Sequence, residues 1–417
     1  MLGTLLLTNA RVVVADGVLA PGWVLAERGV IAELGTGSPG EEVVDRCDGA
    51  AGEVVDAGGR WLIPGLIDIH VHGALGHEVM DGDPAAIAVM ARFYASHGVT
   101  SFLATTWTGT TDVTLRALRA VAEAMREPDP YGATLLGAHM EGPYLNPRRC
   151  GAQEASIIRP GDRDEMARFL DVGVVRLMTI APEVPGNLEV IRQGVDRGVT
   201  MSAGHTDATY DQLCAAVASG VRHVTHTFNA MRPLHHREPG TVGAAMTLAE
   251  LTVELIADGI HVHPAAMRAL FAARGAEAMV LVTDAIRAAG MPPGTYPIGD
   301  RTVVVADGAV RLPDGALAGS VLTLDRALRN LWSATGAPLE VLWPTASRNA
   351  ARVIGVDDRK GEIGIGRDAD LVLLDEQLEV ELTIVGGRIV HRATEEPERG
   401  GERPPEETTD RPRLSSV

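Results

Sequence analysis

Short apolar runs alternate with longer helical stretches through most of the 417 residues, and this alternation limits the possible folds more than any other feature of the chain. The helical stretches, rich in Ala, Leu and Arg, include residues 84–97, 113–125, 163–170, 188–197 and 210–219. A strand followed by a helix, repeated along a chain, indicates βαβ units and a parallel sheet. Eight runs are predicted strands: residues 62–70, 101–105, 135–141, 175–181, 200–205, 223–228, 253–258 and 279–284.

Residues that can bind a metal or carry a proton lie at the ends of five of these runs. His70 and His72, two apart on a strand, project to the same face, although such a pair is also compatible with surface or hydrogen-bonded histidines. Four more such residues follow later runs: Glu141, His205, His226 and Asp284. Together they predict a (β/α)8 barrel with its active site at the carboxyl ends of the strands. A doubly wound open sheet is the alternative, but it would not easily bring such distant residues to one centre.

The two ends of the chain have a different pattern. Residues 1–60 and 361–392 show short alternating strands, including residues 5–14 and 23–34, with Gly-rich turns. Neither end can bury a core by itself, so we predict that both form one small β-sandwich domain beside a barrel of residues 61–360. Residues 393–417 are rich in Glu, Arg, Pro and Ser, which predicts a disordered tail.

Composition restricts the location and the partners. The chain has no apolar stretch near the roughly 18 residues that span a bilayer, and its start lacks a basic signal region. Cys47, Cys150 and Cys214 form no disulfide framework, so we predict a cytoplasmic protein with no membrane partner. A net charge of −18 argues against nucleic acid as a partner.

A local concentration of positive charge stands out against this acidic background. Residues 232–237, Arg-Pro-Leu-His-His-Arg, follow His226 closely, and His261 and His263 come soon afterwards. Such donors suit an anionic group on a substrate, a phosphate more than a carboxylate. The alternative is a loop whose arginines only neutralise nearby acids.

Lys360 is the only lysine, and it lies in a turn that leads to the C-terminal β segment. The barrel therefore offers neither a carboxylated lysine to bridge metals nor a lysine for Schiff-base chemistry. An anionic metal ligand has to be a carboxylate, and Glu141 occupies a suitable strand end.

Six motifs in order give the chain a resemblance to a known family. They are PGLIDIHVHG at residues 64–73, HMEGPY at 139–144, SAGHT at 202–206, THTFNAM at 225–231, IADGIHV at 256–262 and LVTDA at 281–285. The set resembles the N-acetylglucosamine-6-phosphate deacetylase family of the amidohydrolase superfamily, from about residue 5 to residue 391.

This resemblance implies a role for each matching residue. Glu141, His205 and His226 would hold a primary divalent metal, and His70 with His72 a second one, so that one or two ions are expected. Zinc is the expected metal, with iron, cobalt or manganese as alternatives. The implied substrate contacts are Ala152, Gln153, Asn229, Ala230, Arg237, His261, Leu317, Ala318 and Gly319. Arg237 would reach the site of a second copy, which implies a homodimer.

The resemblance also implies the reaction. A metal-activated water would attack the acetyl group of N-acetylglucosamine 6-phosphate, with Asp284 as the general base and acid, to give glucosamine 6-phosphate and acetate. Gln153 departs from the family, which often has a histidine there, and an amide cannot become cationic. The alternatives are an amidohydrolase acting on a cyclic amide or an aminated base, and a non-catalytic barrel that binds sugar phosphates.

Overall fold

A computed structural model of the protein describes residues 3–47, 52–299 and 301–393. Its centre is a parallel sheet of eight strands whose order follows the chain. Val71, at the end of the first strand, pairs with Ala285, just after the last, and this pairing closes the predicted barrel. The barrel strands are β1 (Leu66–Val71), β2 (Val99–Thr106), β3 (Thr134–Glu141), β4 (Val175–Ile180), β5 (Thr200–Ala203), β6 (Val221–Val224), β7 (Thr252–Ile256) and β8 (Met279–Val282).

A helix follows each barrel strand, as the alternation predicted. Their amphipathic spacing explains the packing: the helix after β2 buries Leu115, Leu118 and Val121, which recur every three residues on one face. The helix after β3 begins where the Asp162 side chain accepts hydrogen bonds from two backbone N–H groups. The eight helices are α1 (Pro84–Ala95), α2 (Thr111–Arg126), α3 (Arg163–Leu170), α4 (Asn187–Asp196), α5 (Tyr210–Ala218), α6 (Gly240–Thr247), α7 (Pro264–Arg274) and α8 (Leu324–Thr335).

The predicted strand at residues 62–70 is two strands that belong to different sheets. Trp61–Pro64 pairs with Thr4–Val14 and Leu371–Leu374, whereas β1 begins at Leu66 in the barrel. Gly65 joins them at a point where a Cβ would lie 2.1 Å from the Thr100 hydroxyl oxygen. Only glycine fits this close approach, and an uninterrupted apolar run does not reveal it.

Both chain ends contribute to one sheet, as predicted, and its halves share an apolar core that includes Leu7, Val24, Leu371 and Ile384. The predicted strand at residues 23–34 is wrong as a single strand, because Arg28 and Gly29 form a turn with φ of 52° and 87°. The boundaries of this domain at residues 60 and 361 stay a prediction. Its strands are Thr4–Val14, Gly17–Glu27, Val30–Thr36, Gly52–Asp56, Trp61–Pro64, Leu371–Leu374, Val380–Val385 and Arg388–Arg392.

The sequence patterns did not predict a three-stranded antiparallel sheet between β8 and α8. It comprises Gly294–Ile298, Arg301–Ala306 and Ala309–Arg311, and it packs on Ala152 and Ile286 beside the barrel mouth. The remaining elements are a hairpin of Gly73–Ala74 and His77–Glu78, the helices Glu41–Asp45, Leu339–Ala346 and Arg348–Val353, and the 3-10 turns Val79–Asp81, Pro147–Arg149 and Ala276–Ala278.

Residues 394–417 of the predicted tail lie outside the described residues. Within the described part of the chain, no helix combines the length and the apolar character needed to cross a membrane.

Candidate active site

Three predicted site residues share an unusual backbone position. His205, His226 and Asp284 each lie two residues beyond the end of a barrel strand, with φ of 47°, 29° and 50°. Residues other than glycine rarely adopt this left-handed conformation, and such strain concentrates at functional sites. The predicted strands therefore end before these residues, and the turns direct their side chains towards the barrel axis.

Glu141, the last residue of β3, is the centre of the cluster. Its Oε1 lies 3.0 Å from His205 Nε2 and 3.1 Å from His226 Nε2. The two histidine nitrogens are themselves 3.1 Å apart. Glu141, His205 and His226 thus present one potential metal ligand each to a common point, as the sequence predicted they would meet.

His70 and His72 lie on the other side of the same carboxylate. His70 Nε2 is 3.4 Å from Glu141 Oε1, and His72 Nε2 is 3.4 Å from Glu141 Oε2. Asp284 Oδ1 is 3.6 Å from the first nitrogen and 3.2 Å from the second. Glu141 therefore separates two groups of potential ligands and belongs to both.

Buried atoms in these groups lack hydrogen-bond partners within the described residues. They include His70 Nε2, both ring nitrogens of His72 and Asp284 Oδ1. Burying polar atoms without partners is costly, so their convergence indicates a ligand that completes the site. Imidazole nitrogens and carboxylate oxygens are ligands of zinc and related divalent cations, and the residues present fit one such ion on each side of Glu141.

A cleft of about 240 Å³ opens above the cluster. Six of the predicted substrate contacts line it: Ala152, Asn229, Ala230, His261, Leu317 and Gly319. Asp258 orients His261, because its Oδ2 lies 2.6 Å from the ring Nδ1. Ala318 is fully buried in the cluster under the three-stranded sheet, so its side chain does not face the cleft.

Comparison with known proteins identifies the family. The model of the Amidohydrolase family matches residues 61–390. The chain belongs to this family. It is 38% identical over 393 residues to the N-acetylglucosamine-6-phosphate deacetylase of Bacillus subtilis, an alignment that covers 93% of this chain and 98% of that protein.

Two further proteins are similar to this amidohydrolase. The N-acetylgalactosamine-6-phosphate deacetylase of Escherichia coli O157:H7 is 39% identical over 339 residues, covering 81% of this chain and 89% of that one. A mutant of the Mycobacterium smegmatis N-acetyl-D-glucosamine-6-phosphate deacetylase, solved in complex with N-acetyl-D-glucosamine-6-phosphate, has a TM-score of 0.85 at 34% identity. That alignment covers 93% of this chain and 99% of the solved one. Family membership and the His/Glu clusters together indicate that this chain binds divalent metal.

The electrostatics of the cluster favour ionised carboxylates. Burial opposes the charge of Glu141, but His205 and His70 outweigh it and hold the pKa of Glu141 well below its usual range. Burial likewise opposes ionisation of Asp284, whose pKa is lowered by His70 and His72. Asp284 is therefore an anion at neutral pH, able to accept a proton.

Trp107, which the sequence patterns did not single out, and Gln153 each contact a residue of the cluster. The Trp107 ring stacks on the His72 ring with a centroid distance of 3.8 Å and an interplanar angle of 11°. The side chain of Gln153, predicted to contact substrate, is buried and donates a hydrogen bond to Glu141. Its oxygen accepts from the Thr108 N–H at 2.8 Å. The amide of Gln153 thus contacts a potential metal ligand.

Glu254, in the middle of β7, is a site residue that the sequence reasoning missed. Burial opposes its charge, but the His70 charge and hydrogen bonds from His223 and His70 hold the pKa of Glu254 well below its usual range. Its neighbour His139 has a pKa lowered well below the usual range, by burial and by His70. The available signal was a single acid inside an apolar strand, which requires a buried partner.

The basic side chains of residues 232–237, with His261 and His263, do not form one cluster within a single chain. Arg232 pairs with Asp207 at 3.0 Å, and the His263 side chain caps α7 by accepting the Ala265 N–H. Arg237 is exposed, and its guanidinium lies 2.7 Å from His236 Nε2. Arg237 does not line the cleft of its own chain.

Proposed function

We propose that this amidohydrolase hydrolyses the acetamide of N-acetylglucosamine 6-phosphate to glucosamine 6-phosphate and acetate. The observation that carries the proposal is the carboxylate of Asp284 beside the Glu141 cluster, where it lines a cleft of about 240 Å³. The relatives named above support the substrate, because the chain aligns along nearly the full length of a deacetylase of this phosphosugar.

Five side chains would hold the metal in this proposal. Glu141, His205 and His226 would bind the first ion, and His70 and His72, sharing Glu141, the second. Zinc is the proposed metal, since imidazole and carboxylate ligands suit it well, although iron, cobalt and manganese accept the same ligands. When bound, such a cation lowers the pKa of a water ligand to about 7 and polarises a carbonyl.

Asp284 would move the proton. As an ionised carboxylate it accepts a proton from the attacking water, and it then delivers that proton to the amide nitrogen as the C–N bond breaks. Its Oδ1 has no hydrogen-bond partner in the described residues and is directed at the centre, which supports this role. Trp107 would limit the movement of His72 during turnover.

The phosphate would bind at the mouth of the cleft. Asn229, Ala230 and His261 line the cleft, and Asp258 fixes the orientation of the His261 ring. Arg237 from a second copy of the chain would supply the remaining charge, which makes the active protein a homodimer. The exposed position of Arg237, with no acidic partner among the described residues, supports this assignment.

Release of free amine from the purified, metal-loaded protein tests the reaction. We expect turnover of N-acetylglucosamine 6-phosphate, little turnover of unphosphorylated N-acetylglucosamine, and loss of activity with a chelator. N-acetylgalactosamine 6-phosphate belongs in the same assay, because a relative of comparable identity carries that name. Hydrolysis of a cyclic amide or an aminated base instead, or tight binding of the sugar phosphate without turnover, would refute the proposal in favour of the two alternatives.

Mixing two inactive variants tests the shared site. If Arg237 acts across a dimer interface, equal amounts of Asp284→Asn and Arg237→Ala chains that exchange at random recover about one quarter of wild-type activity. Half of the dimers are then hybrids, and each hybrid has one intact site of two. If Arg237 acts within its own chain, or the protein is a monomer, mixing recovers nothing. We also propose a cytoplasmic location, because a cysteine content of only three in 417 residues suits a reducing compartment.

A further inference from the structure

Glu254 is a fully buried carboxylate that none of the catalytic steps above employs. Its Oε2 lies 2.9 Å from His70 Nδ1 and also accepts the backbone N–H of His226 at 2.9 Å. Its Oε1 lies 3.1 Å from His223 Nε2. One side chain therefore contacts a proposed ligand of each metal.

These contacts determine which ring nitrogen of His70 is available to bind a metal ion. An ionised carboxylate only accepts hydrogen bonds, so His70 Nδ1 has to carry the proton. The lone pair of a neutral His70 is then on Nε2, the atom that lies 3.4 Å from Glu141. A carboxylate behind a metal-binding histidine fixes the ring and makes its other nitrogen a better ligand.

The contact with His226 has a different effect. The His226 backbone is left-handed, with φ of 29°, and such a conformation persists only when its surroundings hold it. The hydrogen bond from its N–H to Glu254 is one such restraint. The same carboxylate thus orients the ring of one proposed ligand and the backbone of another.

We infer that Glu254 is a positioning residue of the metal centre, which holds His70 for the second ion and the His226 turn for the first. The inference rests on the metal site of the proposed function. Glu254 itself is not a ligand in this scheme, although it forms a third potential cluster with His70 and His139. His70 Nδ1 is already engaged by Glu254, and the His139 ring packs edge-on against His70 at a centroid distance of 4.6 Å.

Two substitutions separate the charge of Glu254 from its shape. In Glu254→Gln, the amide oxygen can replace Oε2 and accept from both His70 and His226, while the amide nitrogen donates to the other tautomer of His223. In Glu254→Ala, every one of these acceptors is lost. Asp325→Asn is the matched control, because Asp325 is a buried acid paired with Arg329 at 3.2 Å and lies outside the metal centre.

The readout is the number of zinc ions per chain and their dissociation constants, measured by elemental analysis and chelator competition. We expect two ions in the wild type and in Asp325→Asn. For Glu254→Gln we expect the more weakly bound of the two ions to bind about 10–100-fold less tightly than in the wild type. For Glu254→Ala we expect that ion to be lost and the other to be weakened.

Two results would overturn the assignment separately from the proposed function. If wild type and both Glu254 variants bind two ions with equal affinity, Glu254 has no positioning role, while the metal site stands. If the wild type binds no divalent ion, the proposed function fails, and this inference fails with it.

Nitrogen NMR on the zinc-loaded wild type avoids the risk that a variant does not fold. The His70 resonances, assigned by difference from His70→Gln, should show a proton on Nδ1. A proton on Nε2 would refute the proposed orientation of the ring.

Discussion

Replacing Lys360 by methionine tests whether the only lysine is a structural link between the barrel and the terminal sheet. Lys360 Nζ lies 2.5 Å from Asp370 Oδ2 and 2.9 Å from Asp368 Oδ2. The lysine and Asp370 side chains are only 4% and 6% exposed. Burial opposes the charge of Lys360, but Asp370 and Asp368 outweigh it and raise its pKa, so the group is charged at neutral pH.

The expected loss of stability follows from the burial of the carboxylates. Methionine fills most of the lysine volume but leaves Asp370 as an uncompensated buried charge. Breaking a buried ion pair on one side costs about 3–5 kcal/mol, which is a large part of the 5–15 kcal/mol typical of folded proteins. Asp368 adds little, because it is 23% exposed and also contacts Arg359 at 3.4 Å.

Denaturant unfolding of four proteins measures this effect: wild type, Lys360→Met, Asp370→Asn and the double variant. We expect the double variant to be more stable than Lys360→Met, because no unpaired charge remains, and the cycle to give a coupling of at least 1 kcal/mol between the pair. A free energy of unfolding of Lys360→Met within about 1 kcal/mol of the wild-type value would refute the reasoning, because such a small loss is typical of surface ion pairs.

Three further perturbations test other parts of the structure. Asp284→Asn should lower kcat for the proposed substrate by about 10²–10⁴-fold with metal content unchanged. A variant as active as the wild type would exclude Asp284 as the proton carrier. Glu165→Gln should lower the free energy of unfolding by about 1 kcal/mol at neutral pH. The reason is that the partly buried Glu165 carboxylate accepts hydrogen bonds from Arg159 at 2.8 and 2.9 Å. Burial opposes ionisation of Glu165, but Arg159, Thr111 and Tyr144 lower its pKa below the usual 4.5. The wild-type advantage is therefore present above pH 4.5 and should disappear as the pH falls through the lowered pKa; a constant difference in unfolding midpoint would contradict this. Removing metal with a chelator should destabilise the wild type by about 2.7 kcal/mol for each ion whose free concentration had been 100-fold its dissociation constant. An unchanged melting temperature would argue against a metal that binds the folded state.

The sequence predicted the barrel because its two periodic patterns are local. Strand and helix residues recur within a few positions of one another, and βαβ connection rules then leave few topologies. The meeting of Glu141, His205 and His226 followed from the same logic, since the carboxyl ends of all parallel barrel strands face one side. Their roles came from a family resemblance and stay proposals.

Other features depended on close approach between distant segments. Gly65 divides one apolar run between two sheets because Thr100 packs against it, and no pattern near Gly65 shows that contact. The contact of Gln153 with substrate stays a prediction, and the hydrogen bond from its amide to Glu141 is visible only in the structure. The left-handed turns at His205 and His226 likewise ended strands earlier than their apolar runs suggested.

Glu254 shows the difference between what the sequence determines and what the tertiary structure determines. The sequence alone determines that an acid stands in an apolar strand and that burying it requires compensation, because an unpaired charge is costly away from water. Only the tertiary structure decides the partners, because β7 lies beside β6 and brings His223 and the His226 N–H to one carboxylate, while barrel closure brings His70. Local periodicity fixes which elements form, whereas the geometry of the closed barrel determines which side chains meet across it.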